Sequence, residues 1–256
     1  MNIEFNGKKE AEKIATFLEE SEKLLGKSLV IFQCDGKTEM SQYVKLKTEM
    51  GERLGVLVHV VFAHDVADLK SMLIEMNDDV TVDGILIQLP IIESKELKML
   101  KGQELFEILG MIKPSKDVDG LNPQSNFLPA VVRAVERVVE SFNIDEDQKI
   151  ALVGSKGMVG KRIGERLNVI RLPFEGFDNG DDLSRLKEFD VIISSTGVEG
   201  LITEDMVTDG FIGIDLGYPK GDISKESGLK ASLITPVPNG VGPLTVVGLY
   251  ENLAEI

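Results

Sequence analysis

The chain has 256 residues, with 43 acidic and 28 basic side chains and a formal net charge of −15 at pH 7. This length is enough for two modest domains or one large one. The acid excess argues against nucleic acid as a main partner, because such binders displace phosphate counterions with basic surfaces. It argues equally against an anionic membrane surface, and no apolar run reaches the roughly 18 residues of a membrane span.

The chain has one cysteine, Cys34, which cannot form an internal disulfide. Because the start of the sequence lacks a secretory pattern, the expected compartment is the cytoplasm. The two histidines, His59 and His64, do not lie in a cluster with zinc-ligand spacing, so no metal site is expected. Cys34 is interpreted as an ordinary thiol.

Helix-like and strand-like segments alternate, which predicts an α/β fold with a largely parallel sheet. In the first half the predicted elements are a helix at 8–25, a strand at 29–33, a helix at 39–54, a strand at 56–62, a helix at 66–76 and a strand at 84–89. The last of these is almost wholly apolar, as is typical of a strand buried on both faces.

A break near Asn122-Pro123 separates this half from the rest. The later predicted elements are a helix at 130–142, a strand at 149–154, a helix at 158–168, strands at 169–172, 191–194, 211–215 and 233–234, and a helix at 244–254. Residues 149–235 are therefore interpreted as a nucleotide-binding unit. The last helix is expected to pack back on the first unit.

The segment Gly154-Ser155-Lys156-Gly157-Met158-Val159-Gly160 joins a predicted strand to a predicted helix. Glycine lets the backbone approach a diphosphate, and a helix N-terminus offers unpaired N–H groups and positive potential. The spacing is not G-x-G-x-x-G. Two interpretations remain: a dinucleotide site, and a tight turn without a ligand.

Tyr43 and Lys47 are four residues apart on a predicted helix and therefore share a face. A lysine beside an aromatic ring can be desolvated, which lowers its pKa toward neutrality and makes it a usable acid or base. The alternative is a solvated surface lysine.

Two further polar residues end predicted elements. Gln88 lies at the carboxyl end of the strand at 84–89, where α/β proteins place ligand-binding groups, although it could simply cap the strand. Asp119, in Lys116-Asp117-Val118-Asp119-Gly120, could accept paired hydrogen bonds from a heterocycle or belong to an ordinary Asp/Gly turn.

The segment Thr235-Pro236-Val237-Pro238-Asn239-Gly240-Val241-Gly242-Pro243 is rich in proline and glycine. Such a composition predicts a rigid, sharply turned loop that could include a cis proline. The loop could form the wall of a site or merely connect two domains.

Taken in order, these segments resemble one family, bifunctional methylenetetrahydrofolate dehydrogenase/methenyltetrahydrofolate cyclohydrolase. The similar motifs are Tyr-x-x-x-Lys at 43–47, Asp-Gly-Ile-Leu-x-Gln-Leu-Pro at 83–90, Lys-Asp-Val-Asp-Gly at 116–120, Gly-x-x-x-x-Val-Gly at 154–160 and the loop at 235–243. The resemblance runs from about residue 38 to the end.

The resemblance implies a two-domain α/β protein with a folate cleft between an N-terminal catalytic domain and a C-terminal Rossmann-type NAD(P)-binding domain. The expected ranges are 1–130, completed by the last helix at 243–256, and 131–242. It implies a homodimer that oxidises 5,10-methylenetetrahydrofolate to the 5,10-methenyl form with NAD(P)+ and hydrolyses that product to 10-formyltetrahydrofolate.

The resemblance also implies the roles of single residues. Lys47 would be the central acid/base, Gln88 would hold and tune it, Tyr43 would line the folate ring system, and Asp119 would bind the pterin N–H donors. The remaining residues assigned to the substrate are Leu89, Pro90, Pro238, Gly240, Gly242 and Pro243. The residues assigned to the cofactor are Gly154, Ser155, Lys156, Gly157, Val159, Gly160, Glu175, Thr196, Gly197 and Tyr218.

The chain departs from the family where the cofactor would bind. Ser155 and Lys156 stand at the positions of the family's Arg-Ser, and the family's His-Ser-Arg is replaced by an acidic segment that includes Glu175. Glu175 is near the spacing at which an acid binds the ribose of NAD, which favours NAD. Lys156 could instead stand in for the family's arginine and keep NADP, so both cofactors remain possible.

Smaller departures are Ala130-Val131 in place of a Cys-Thr pair, and Asn239 in place of a glycine. The alternatives to the bifunctional enzyme are a cyclohydrolase with weakened or lost dinucleotide binding, and a non-catalytic folate- or nucleotide-binding protein.

Overall fold

The structure is a computed structural model that describes residues 3–93 and 98–256. Within them the chain forms eleven strands and eight α-helices. The strands are β1 (Ile3–Glu4), β2 (Ser28–Gln33), β3 (Leu57–Phe62), β4 (Gly84–Gln88), β5 (Ile92–Glu93), β6 (Lys98–Met99), β7 (Ile150–Val153), β8 (Phe174–Phe177), β9 (Val191–Ser194), β10 (Ile212–Asp215) and β11 (Leu233–Ile234). The helices are α1 (Gly7–Ser21), α2 (Gln42–Arg53), α3 (Val66–Asp78), α4 (Gly102–Leu109), α5 (Ala130–Ser141), α6 (Met158–Val169), α7 (Lys225–Lys230) and α8 (Val241–Glu255).

The chain divides into two compact units. The six-stranded unit contains the residues up to Glu12 and Val131–Thr245, and the three-stranded unit contains Lys13–Ala130 and Val246–Ile256. The start of the chain differs from the expected domain ranges because β1 pairs in parallel with β11, so Ile3 lies level with Leu233.

The three-stranded unit has a parallel sheet in the order β3-β2-β4. Its central strand β2 is buried along its whole length. The carboxyl end of α8 completes the core through Leu249, Tyr250 and Leu253, which pack with Leu29 and Leu86. The end of the last helix therefore contributes to the core of the three-stranded unit.

The six-stranded unit has the order β1-β11-β10-β9-β7-β8, and every pairing in it is parallel. Strands β7, β9 and β10 are fully buried, which explains why their sequences are largely apolar. Because these strands are parallel, their carboxyl ends meet at one edge, where α/β proteins bind ligands. The predicted α/β fold class is confirmed.

The predicted strand at 169–172 is wrong. Val169 completes the last turn of α6, where the N–H of Ile170 donates to Arg166 O at 3.0 Å. The chain leaves the helix through Arg171, whose φ is +62°, and the strand begins only at Phe174. The apolar run alone could not distinguish the end of a helix from a strand.

Helices α4 and α7 and strands β1, β5 and β6 were not predicted. Helix α1 ends at Ser21 rather than at 25, because Glu22 adopts φ +55°. None of the helices in the described ranges combines the length and apolarity needed to cross a membrane.

Candidate active site

Lys47 lies on the buried face of α2. The hydroxyl of Ser41 caps this helix by accepting from the N–H of Val44 at 3.3 Å, and Val44, Lys47 and Gly51 form the inward face. The side chain of Lys47 is only 6% exposed, which is rare for lysine, whereas Tyr43, one turn earlier, is half-buried. The alternative of a solvated surface lysine therefore does not hold.

Gln88 holds the amine of Lys47. The Nζ of Lys47 donates to Oε1 of Gln88 at 3.1 Å, and Nε2 of Gln88 donates to the carbonyl oxygen of Leu89 at 2.8 Å. Because the amide nitrogen is committed to a carbonyl, the amide oxygen must face the amine. Gln88 is the last residue of β4, so a strand end fixes the orientation of the lysine.

Gln33 is a residue of this region that the sequence analysis missed. It ends β2 directly beside Gln88 and is 1% exposed. Its Oε1 accepts from the N–H of Ser41 at 2.9 Å, so it holds the residue that caps α2. Its position at a strand end, like that of Gln88, was the available signal.

Asp119 lies within the electrostatic field of Lys47. Burial lowers the pKa of the Lys47 amine, and the negative charge of Asp119 opposes that change. Burial likewise raises the pKa of the Asp119 carboxyl, opposed by the charge of Lys47. An amine whose ammonium form is destabilised in this way can take up and release a proton nearer neutrality.

The turn that carries Asp119 is tightly built. Gly120 has φ +70°, and a side chain there would place its Cβ 2.7 Å from the backbone of Pro129. Asp117, which was interpreted only as part of the turn, is 1% exposed. Its Oδ2 accepts from Asn122 N–H at 2.8 Å, but its Oδ1 has no hydrogen-bond partner within the described residues. Burial raises its pKa to about 6.

Two side chains of helix α8, which the sequence analysis missed, hold the backbone at Lys47 and beside Asp119. The hydroxyl of Tyr250 donates to the carbonyl oxygen of Lys47. The Nδ2 of Asn252 donates to the carbonyl oxygens of Val118 and Leu128, each at 2.9 Å. Both side chains are fully buried.

In the six-stranded unit, the glycine-rich segment forms the turn between β7 and α6. Gly154 has φ +84°, and a Cβ on Gly160 would collide with the carbonyl oxygen of Gly154. Helix α6 begins after Gly157, which has no side chain to cap it. The first N–H groups of α6 therefore have no side-chain cap, as a diphosphate site requires. Ser155, Lys156 and Val159 lie in the same turn and first helical residues.

Thr196, Gly197 and Tyr218 lie beyond the carboxyl ends of β9 and β10, at the same sheet edge. The Thr196 N–H donates to Oδ2 of buried Asp222 at 2.7 Å, which fixes the segment after β9. Gly197 has φ +68°, and Tyr218 is 44% exposed.

Glu175 does not lie at that edge. It is the second residue of β8, level with Ala151 of β7, and its carboxylate pairs with Arg185 at 2.6 Å. The acidic residue that follows the strand end is Asp178, which the sequence analysis did not single out.

The loop at 235–243 is sharply turned, and Val237-Pro238 is a cis peptide, as its composition allowed. Asn239 adopts φ +84°, a conformation that asparagine tolerates better than most residues. A Cβ on Gly240 would lie 2.5 Å from the carbonyl oxygen of Pro236. Gly242 and Pro243 belong to the first turn of α8. In the other unit, Leu89-Pro90, directly after Gln88, is also a cis peptide.

A buried lysine in one parallel α/β unit and a glycine turn at the N-terminus of a helix in the other define a two-domain α/β protein of the dinucleotide-binding class. Family models sharpen this assignment. Residues 5–119 match the catalytic domain of tetrahydrofolate dehydrogenase/cyclohydrolase, and residues 129–256 match its NAD(P)-binding domain. The chain belongs to the tetrahydrofolate dehydrogenase/cyclohydrolase family.

Individual relatives agree with this assignment. The chain is 32% identical to the bifunctional protein FolD of Mycoplasmopsis synoviae (strain 53), in a match covering 89% of this chain and 88% of that protein. Its structure is similar to that of the bifunctional enzyme FolD from Campylobacter jejuni, with a TM-score of 0.84, 29% identity, and coverage of 100% and 98% of the two chains. It is also similar to a 5,10-methylenetetrahydrofolate dehydrogenase from the silkworm, Bombyx mori, with a TM-score of 0.86, 25% identity, and coverage of 100% and 97%.

Proposed function

We propose that the protein oxidises 5,10-methylenetetrahydrofolate to 5,10-methenyltetrahydrofolate with NAD(P)+ and hydrolyses that product to 10-formyltetrahydrofolate. The observation that carries the proposal is the buried amine of Lys47, 3.1 Å from the amide oxygen of Gln88. This arrangement suits a reaction in which one group must both accept and return a proton.

In the hydrolysis, the neutral Lys47 amine accepts a proton from water as the water oxygen bonds to the methenyl carbon. The amine then returns that proton to N5 as the bond between N5 and the carbon breaks, while the proton of the new hydroxyl passes to solvent and the formyl group forms. Gln88 orients the amine, and the burial that lowers its pKa keeps the base form accessible.

Asp119 positions the substrate in this proposal. A carboxylate accepts two hydrogen bonds, which matches the adjacent amino and ring N–H donors of a pterin. Tyr43 lines the ring system, with Leu89 and Pro90 beside it. The family resemblance adds Pro238, Gly240, Gly242 and Pro243 to the substrate-binding residues.

The glycine turn of the six-stranded unit fits a dinucleotide. A Cβ at Gly160 would fill the space that lets the turn and helix approach each other, and the start of α6 has no side-chain cap. Val159 and Gly160 would hold the diphosphate through the backbone N–H groups at the start of α6, and Gly154, Ser155, Lys156 and Gly157 would form the turn around it. Thr196, Gly197 and Tyr218 lie along the same sheet edge. When bound, NAD(P)+ supplies the hydride acceptor, and the protein orients the two reactants and excludes water.

The test compares Lys47→Met with Lys70→Met in the purified protein. Lys70 is an exposed lysine of α3 in the same unit, so its loss controls for the removal of one charge. Hydrolysis of methenyltetrahydrofolate, followed by absorbance, should fall by at least about 100-fold in Lys47→Met, as expected when a general acid/base is lost. Equal rates in Lys47→Met and the unmodified protein would contradict the proposal, and turnover with NAD+ or NADP+ would exclude the cyclohydrolase-only alternative.

The proposed assembly is a homodimer. Among the described residues, β3 pairs only with β2, and Leu57 on this edge strand is 57% exposed. An apolar edge strand is a ready surface for a second copy. Light scattering should give twice the mass of one chain, and a monomer at micromolar concentration would contradict this part of the proposal.

The proposed compartment is the cytoplasm. Cys34 is a free, fully buried thiol, which suits a reducing environment. Fractionation of cells that produce the protein should recover it with cytoplasmic markers, and recovery with exported proteins would contradict the assignment.

A further inference from the structure

The two faces of strand β8 contact different neighbours. Phe174 faces α6, because a Cβ on Gly164 of that helix would lie 2.6 Å from the ring. Arg185, in the 3-10 helix Leu183–Glu188, lies on the other face, where it pairs with Glu175 and is 5.6 Å from the centroid of the Phe177 ring. Side chains alternate along a strand, so Glu175 faces away from α6 and its glycine turn.

Asp178 follows directly on the carboxyl end of β8, on the face of the glycine turn. Its Oδ2 accepts from the Ser155 hydroxyl at 2.6 Å, and its Oδ1 accepts from the backbone N–H of Lys156 at 2.8 Å. Gly176 makes room for this contact, because a Cβ there would lie 2.5 Å from the Ser155 hydroxyl oxygen. The carboxylate is thus fastened to the turn that would carry the diphosphate.

The charge around Asp178 is negative. Asp181 accepts from the N–H of Asp178 at 2.7 Å, and Asp182 follows in the chain. Lys156 brings its ammonium to 3.6 Å from Oδ2, but its side chain is 83% exposed and its charge is already shared with the carboxylate. Although burial acts in the opposite direction, the hydrogen bonds from Ser155 and Lys156 lower the pKa of Asp178, so it is ionised at neutral pH.

We propose that Asp178 selects the cofactor, binding the 2′-hydroxyl of the adenosine ribose of NAD+ and excluding the 2′-phosphate of NADP+. The inference rests on the proposed dinucleotide site in the same unit. An acid at the end of the second strand accepts hydrogen bonds from a ribose, whereas a phosphate carries about −1.5 to −2 charges and is repelled by a fixed carboxylate. The segment therefore predicts an enzyme that uses NAD+, and Glu175 has no part in the choice.

The experiment measures the dissociation constants of NAD+ and NADP+ by calorimetry, together with kcat/KM for each cofactor, in three proteins. These are the unmodified protein, Asp178→Asn and Asp182→Asn. Asparagine at 178 keeps an oxygen that accepts from the Lys156 N–H, and its amide nitrogen can donate to the Ser155 hydroxyl, but it removes the charge. Asp182→Asn removes one charge from the same segment, and because Asp182 caps the 3-10 helix by accepting from the Ser184 N–H at 3.0 Å, asparagine can replace it there.

The unmodified protein should bind NAD+ at least tenfold more tightly than NADP+, which corresponds to about 1.4 kcal/mol. Asp178→Asn should bind NADP+ more tightly, so that the ratio of the NADP+ to the NAD+ dissociation constant falls by at least tenfold. Asp182→Asn should leave that ratio unchanged. Tighter binding of NADP+ by the unmodified protein would overturn the inference even if the variants failed to fold. Equal changes in both variants would also overturn it.

A separate outcome concerns the site itself. If the unmodified protein bound neither dinucleotide, the proposed dinucleotide site would fail and this inference with it. If the unmodified protein bound both dinucleotides but preferred NADP+, only the role assigned to Asp178 would fail. The two failures are therefore distinguishable.

Discussion

The hydroxyl of Tyr250 in α8 donates a hydrogen bond to the backbone carbonyl oxygen of Lys47 in α2, although 203 positions separate the two residues. Gly51, one turn after Lys47, makes this contact possible, because a Cβ there would lie 2.6 Å from the hydroxyl oxygen. The last helix therefore holds the backbone of the residue that we propose as the acid/base.

Replacing Tyr250 by phenylalanine should remove this hydrogen bond while keeping the ring in the core. A single internal hydrogen bond contributes about 1 kcal/mol to stability, and the carbonyl loses a buried donor. Urea denaturation should therefore show a free energy of unfolding lower by about 1 kcal/mol. Tyr218→Phe, at an exposed position of the other unit, serves as the control, and an unchanged unfolding midpoint in Tyr250→Phe would argue against the contact.

Replacing Gln88 by glutamate should place a carboxylate beside the Lys47 amine. An adjacent negative charge stabilises the ammonium form and raises the pKa of the lysine. The neutral amine needed to deprotonate water would then be populated only at higher pH. The rate of methenyltetrahydrofolate hydrolysis should fall at neutral pH, and its pH profile should move to higher pH. A lower rate with an unmoved profile would indicate that Gln88 has only a structural role.

Asp117 should make folding stability depend on pH. Burial raises its pKa to about 6 in the folded protein, against about 3.9 in an unfolded chain. Between these values the folded state binds the proton and the unfolded state does not, so the free energy of unfolding falls as pH rises. The total fall is about 3 kcal/mol and is complete above the folded pKa.

Asp117→Asn should remove this pH dependence, because asparagine does not titrate. Urea denaturation at pH 4 and pH 7 should show a smaller loss of stability in the variant than in the unmodified protein. Asp78→Asn is the control, since Asp78 is an exposed residue in the same unit. If the free energy of unfolding fell equally between pH 4 and pH 7 in both variants, Asp117 would be ionised throughout this range.

Much of the fold could be predicted from local patterns. The buried strands β2, β4, β7 and β9 have continuous apolar sequences, and helix α2 has its predicted course because Ser41 caps it and Gly55, with φ +75°, ends it. Spacing alone placed Tyr43 and Lys47 on one helix. The burial of Lys47 depends on β4 and α8, which are distant in sequence, so the solvated and buried alternatives could not be separated beforehand.

The assignment of Glu175 shows how an error in one strand boundary changes the residues expected in a site. Glu175 was assigned to the ribose of the cofactor from its spacing, with the neighbouring strand predicted at 169–172. The strand begins instead at Phe174, which places Glu175 inside it and Asp178 after it. Moving a strand along the sequence moves its carboxyl end, and a shift by an odd number of residues also moves each side chain to the other face. Asn252 and Gln33 were missed for a different reason, since their partners are set only by tertiary packing.

The most direct test of the central claim is the titration of the lysine side chains by NMR in protein labelled at lysine. One resonance, absent from Lys47→Arg, should titrate below the exposed lysines, because burial disfavours its charged form. Binding of a folate analogue should shift this resonance more than any other lysine signal. If the Lys47 resonance titrated together with the exposed lysines and did not respond to the analogue, the amine would be solvated and could not be the acid/base that we propose.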